Sequence, residues 1–172
     1  MPIALRLLDP QAATSFTALR DVVLGAPAYS RAYDGRAPTD SDARELIASR
    51  PADCQPSQKE LLAIEADGAT IGCISLVRGW PAADTVHVGL LMLVEIHQGH
   101  GHGQAAWAAF EARLRGWPEA RQVRIAVLAV DGRAQRFWRR LGFAPTGQAL
   151  RSWLIDAELL IMSKRLAPPP SL

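Results

Sequence analysis

Only two cysteines occur in the 172-residue chain, Cys54 and Cys73, far apart and in no metal-type pairing. Their scarcity excludes a disulfide scaffold and fits free thiols in a reducing compartment. Long apolar runs are missing too. The longest, Val88–Val94, includes Gly89 and falls far short of the ~18–20 residues that a membrane span requires. Met1–Pro10 carries Arg6 and Asp9 and lacks the charged start and small-residue cleavage site of a secretion signal, so a cytoplasmic protein with no membrane partner is expected. Neither sign of charge dominates. With 19 Lys and Arg against 17 Asp and Glu, the net charge of +2 suggests neither a nucleic-acid partner nor a disordered chain.

What the sequence has is apolar mass, at 49% of residues, and clear punctuation. That length and composition suffice for one core, so a single domain over residues 1–166 is expected, with a Pro-rich tail at 167–172. Ile3–Leu8 reads as a strand ended by Asp9-Pro10, and Ala12–Leu24 as a helix with Phe16, Leu19 and Val23 on one face. Gly25–Pro38 reads as a loop, rich in Gly, Pro and Ser, that holds both tyrosines, Tyr29 and Tyr33. Thr39 or Ser41 caps a helix running through Ser49. Lys59–Ala66 and Thr70–Val77 flank Asp67-Gly68-Ala69, a hairpin signal.

Thr85–Val94 follows as a strand, then a helix over Gly103–Arg115, a nearly continuous apolar strand at Val123–Val130, and a helix capped by Asp131 and closed at Gly142. Phe143 begins another strand, and Ser152–Leu166 contains the last. The order β-α-α-β-β-β-α-β-α-β-β predicts a mixed α/β domain, a mostly antiparallel twisted sheet of about seven strands flanked by about four helices.

Where the strand Val86–Val94 gives way to Gln98-Gly99-His100-Gly101-His102-Gly103, the sequence predicts an anion site. Alternating glycines let main chain approach a ligand, and the free N–H groups of the next helix point at it. The helix dipole adds ~0.3–1 kcal/mol in typical exposed cases, so a pyrophosphate fits such a cradle.

The spacing Gln98-x-x-Gly101-x-Gly103, followed downstream by Asp131-x-x-Ala134-x-x-Phe137-Trp138-x-x-x-Gly142-Phe143, resembles the two signatures of the GNAT superfamily of N-acetyltransferases. The closing stretch Glu158–Leu166 is similar to that family's last strand, and the resemblance covers Asp84–Leu166 well and Met1–Pro81 in outline. It implies acetyl-coenzyme A as acyl donor and a primary amine, on a small molecule or a peptide, as acceptor. It further implies that Met92, Leu93 and Val94 offer main-chain donors to the pantetheine arm and thioester carbonyl. Gln98, Gly99, His100, Gly101, His102, Gly103 and Gln104 would hold the pyrophosphate. Asp131, Arg133, Ala134, Phe137 and Trp138 would lie along the coenzyme. A homodimer is compatible with such relatives.

His87 stands six residues before Leu93, where members carry a glutamate that deprotonates the amine, and an imidazole suits that task near neutral pH. A hydrogen-bonded packing role is its bland alternative. Asp84 and Glu95, at the two ends of the strand, are rival bases. Trp138 departs from the family's tyrosine, whose hydroxyl protonates the leaving sulfur, because indole offers only a non-acidic N–H. Neither cysteine falls in a signature, so direct attack in a ternary complex is expected rather than an acyl-enzyme.

His97, His100 and His102 raise a metal site, but imidazoles radiating from a glycine turn with no neighbouring carboxylate or thiolate do not complete one, and no metal is expected. Arg133, Arg136, Arg139 and Arg140 crowd one helix, mostly as a solvated face. The acceptor site is expected from Gly25–Pro38, the helix after it and the late strands, with Trp80, Trp153 and the tyrosines as candidate aromatic lining. Two other classes compete. Gly101-x-Gly103-x-x-Ala106 matches a dinucleotide fingerprint, although Glu95–His100 separate it from its strand and fewer than 70 residues remain to complete a doubly wound sheet. A catalytically silent acyl-coenzyme A sensor is the other.

Overall fold

The computed structural model describes residues 2–151 and 156–167. One seven-stranded sheet runs in the order β1 (Ile3–Leu7), β2 (Lys59–Ala66), β3 (Ala69–Arg78), β4 (Thr85–Leu93), β5 (Gln122–Leu128), β7 (Glu158–Arg165) and β6 (Ala144–Arg151). Its neighbours are antiparallel except β4 and β5, which are parallel. A doubly wound dinucleotide fold needs a largely parallel sheet, so this topology removes the oxidoreductase reading. The predicted hairpin forms: Asp67 and Gly68 take φ 49° and 80°, the two-residue turn whose twist matches its strands.

Among the described residues there are five helices where about four were expected: α1 (Ala13–Leu24), α2 (Pro27–Asp34), α3 (Asp40–Ala48), α4 (His102–Leu114) and α5 (Gly132–Arg140). The extra one is α2, inside the stretch read from sequence as a loop. Pro27 starts it without losing a needed donor, and Gly35 ends it at φ 71°. Its start is also held from afar: Glu95 Oε1 accepts the Ala28 N–H at 2.7 Å. At α3, Thr39 and Asp42 form a reciprocal cap, and Arg36 forks onto the same carboxylate, whose pKa falls to about 2 through the Arg36 hydrogen bonds.

The sheet buries a core on each face. Trp107 and Phe110 of α4 pack over Val86, Val88, Val123 and Ile125 on one side, while Leu19, Val22 and Val23 of α1 pack with Leu90 and Met92 on the other. Strand β4 therefore changes faces midway. Ser75 pairs with Leu90 but Leu76 with Val88, leaving Gly89 as a bulge that inverts every later side chain. No helix among the described residues is long and apolar enough to cross a membrane. Trp153 and residues 168–172 of the expected tail lie outside the described residues.

Candidate active site

β4 and β5 pair over only three residues, Thr85↔Gln122, Val86↔Val123 and His87↔Arg124, and then separate. Beyond that root the facing edges of both strands have no strand partner among the described residues. The Val94 N–H bonds Ile71 O of β3 at 3.0 Å, which fixes the phase of the antiparallel ladder. In that phase Met92 also directs its amide at β3, while Leu91 and Leu93 turn theirs toward β5. This corrects the expectation for Met92 and Val94, whose donors are spent within the sheet, and adds Leu91, which sequence reading missed. Strict alternation counted back from Leu93 is the signal that could have found it. Across the split, the Ala129 N–H bonds Glu158 O at 2.8 Å, so by the same alternation the Leu128 N–H faces β4.

The glycine turn lies beyond the end of β4. Gln98 is not a ligand donor there: its main-chain N–H bonds Glu95 O at 3.0 Å, and its side-chain Nε2 donates to Leu93 O at 2.9 Å, stapling the turn to the strand. The N–H groups of Gly99, His100, Gly101, His102, Gly103 and Gln104 donate to no acceptor among the described residues. Gly99 and Gly101 take φ 79° and 82°, a region that admits glycine cheaply, and no atom stands within 4 Å of where a Cβ would be. Six unspent donors thus lie at the head of α4, with open space beside Gly99 and Gly101 and the positive end of the helix dipole behind them. Gly103 serves packing: a Cβ there would meet the Phe137 ring at 3.4 Å.

Asp131 caps α5 through the Ala134 N–H at 2.9 Å, and Gln135 ties the same helix to Leu128 O and Ala129 O. Arg133 is exposed in the first turn of α5, and Ala134 and Phe137 pack on the α4 core. Trp138 is 8% exposed, its ring 5.2 Å from Trp107 and 5.1 Å from Phe143. Its indole is part of this aromatic cluster.

The three candidate bases are not brought together. Asp84 sits beyond the root of β4, in a cavity of about 240 Å³ with Arg78, Trp117 and Glu119. Nine residues of strand, roughly 30 Å at the usual rise, separate it from Leu93. Glu95 spends Oε1 on α2. His87 receives Arg124 Nη1 on Nδ1 at 3.1 Å, and a guanidinium only donates, so the neutral ring carries its hydrogen on Nε2. Burial, and then the Arg124 charge, hold this imidazole at about 4. The geometry makes His87 a donor with no free lone pair, the reverse of the base expected from its position.

Tyr33, on α2, reaches over the split: its hydroxyl accepts the Leu128 N–H at 3.5 Å. Tyr29 stacks beneath it, ring centroids 4.3 Å apart and planes within 11°. Burial raises the pKa of both phenols. Trp80 packs edge-on against His87 instead of lining a pocket with the tyrosines. His102 Nδ1 lies 3.2 Å from His97 O, and no group of three or more His, Cys, Asp or Glu among the described residues could hold an ion.

The family model described as "Acetyltransferase (GNAT) family" matches residues 27–143. No curated protein matches the chain with significance. Among solved structures, the chain is similar to an acetyltransferase from Thermus thermophilus, at 22% identity and TM-score 0.75, covering 96% of this chain and 98% of the other. An acetyl transferase from Salmonella typhimurium that modifies the N-terminal serine of ribosomal protein L7/L12 aligns at 16% identity and TM-score 0.77, over 97% and 96%. A GNAT family acetyltransferase from Elizabethkingia anophelis with acetyl-CoA bound aligns at 13% identity and TM-score 0.63, over 95% and 98%.

Proposed function

The chain belongs to the acetyltransferase (GNAT) family, and from that premise we propose that it moves an acetyl group from acetyl-coenzyme A to a primary amine by direct attack within a ternary complex. The observation that carries this reading is the run of six unspent amides at residues 99–104, a donor set that matches a pyrophosphate. The outward amides of Leu91 and Leu93 suit the extended pantetheine arm and the thioester oxygen. A donor aimed where negative charge develops lowers the barrier to the tetrahedral intermediate. Arg133, exposed in the first turn of α5, is the candidate partner for a further phosphate.

Direct attack is supported by the cysteines. Both are buried; Cys73 is pushed up to about 12 and Cys54 is raised, each mainly by burial, so neither offers a thiolate for an acyl-enzyme. With the His87 lone pair engaged by Arg124, the amine enters as the free base or sheds its proton to water. The acceptor approaches from the α2 side of the sheet, opposite α4. A peptide beginning with serine is one reasonable probe, given the Salmonella neighbour, alongside small primary amines.

Calorimetric titration with acetyl-coenzyme A, coenzyme A and NAD(H) tests the reading, followed by thiol release against an amine panel. Saturable binding of the two thioester-related ligands and none of NAD(H) is expected. Binding without turnover on any amine would turn the assignment to a silent sensor, for which the buried Trp138 is the favouring observation. Absence of binding would end it.

A further inference from the structure

The family position that supplies a phenol in many members holds Trp138 here, packed among Trp107, Phe137 and Phe143. We propose, on the acetyl-transfer reading above, that the hydroxyl of Tyr33 on α2 takes that role and protonates the departing coenzyme thiolate. Placement is the first support. The Leu128 N–H that meets Tyr33 faces into the split. Counting four residues on from the His87↔Arg124 pair, with one more for the bulge at Gly89, puts Leu128 level with Met92. The phenol oxygen therefore stands at the height of the Leu91 and Leu93 amides, across the gap in which the thioester would lie.

The second support is the unspent proton. Tyr33 accepts from Leu128, and its own O–H hydrogen has no acceptor among the described residues. The 3.5 Å contact is long, so a stronger acceptor within the split displaces it at little cost. The ring is nevertheless held. Tyr29 stacks against it, and α2 is fastened at its start by Glu95. Burial and the nearby Asp131 carboxylate keep the phenol protonated at neutral pH.

The amine nitrogen bonds the carbonyl carbon, and the π pair moves to oxygen. When the intermediate collapses, the C–S bond breaks with its pair on sulfur, and the Tyr33 proton passes to that sulfur as coenzyme A leaves. The phenolate is then reprotonated by the proton the amine has shed, so atoms and charge balance.

Tyr33→Phe tests this while preserving the ring and its stack, and two readouts need no acceptor. With coenzyme A bound, the thiolate band in the ultraviolet, referenced to desulfo-coenzyme A, reports the thiol's titration. Loss of a hydroxyl donor to the thiolate moves its midpoint up by about one pH unit. Thiol release from acetyl-coenzyme A by water falls about tenfold or more, while the coenzyme A Kd and the melting midpoint stay near the parent values. An unchanged midpoint and release rate in a variant that still binds coenzyme A would overturn the role of Tyr33 alone. Failure of the parent protein to bind coenzyme A would remove the transfer reading and this inference together.

Discussion

The unspent amides of β4 and the glycine turn all come from residues 91–104, one continuous stretch, whereas on the α2 side Tyr33 reaches Leu128 across 95 residues of sequence. The first arrangement is local. Backbone conformation, two left-handed glycines and a helix start create it, and the Gln98 staple holds it to the strand. The second is assembled from distant parts: α2 exists where Glu95 caps it from 67 residues away, and its tyrosines acquire meaning only against β5. The glycine turn therefore stands on the residues around it, while the α2 side depends on contacts across the fold.

Substituting Gly101→Val breaks the comparison on its local side. A β-branched residue at φ 82° is strained, and shifting the turn misaims the amides. Coenzyme A affinity by calorimetry is expected to fall by on the order of 3 kcal/mol, about a hundredfold. An unchanged Kd would locate the pyrophosphate elsewhere.

His87, at the root shared by both sides, gives the next effect. Unfolded imidazole takes a proton near 6.5, whereas the folded ring, held down by burial and Arg124, refuses it until about 4. This contribution to stability is whole above the unfolded value, declines as pH falls through the interval and levels off below about 4. At pH 5 the loss is on the order of 2 kcal/mol. His87→Gln keeps an acceptor for Arg124 and removes the titration, so melts between pH 4 and 7 should show a flatter slope than the parent. Parallel slopes would contradict the assigned environment.

The smallest effect sharpens the remote side. Glu95→Ala frees the start of α2 and should cost about 1 kcal/mol, read as faster amide hydrogen exchange across Pro27–Asp34 with coenzyme A affinity little changed. Equal loss of protection at α4 would mean that the two sides are not separable.

What the sequence made legible follows the same division. The Asp67-Gly68 turn, the Asp131 cap and the glycine cradle all rest on interactions within a few residues, and periodicity or turn chemistry exposes those. The helix α2 was invisible because its Gly, Pro and Ser content argues for a loop, and the carboxylate that favours a helix lies on another element. The tautomer of His87 depends on Arg124, a cross-strand neighbour that spacing along one chain does not reveal. Leu91 lay within reach of the sequence, since the alternation between Leu93 and Leu91 is regular and the bulge falls before both.

That single additional residue at Gly89 behaves like a frameshift in the strand's geometry. Had Gly89 paired with Ser75 instead of bulging out, Leu90 and Met92 would be carried to the α4 face, with their amides, instead of those of Leu91 and Leu93, pointing across the gap. Deleting Gly89 would join Val88 to Leu90 opposite Leu76 and Ser75 and keep the same groups presented, whereas one further residue there would exchange them, so this position should tolerate loss far better than insertion.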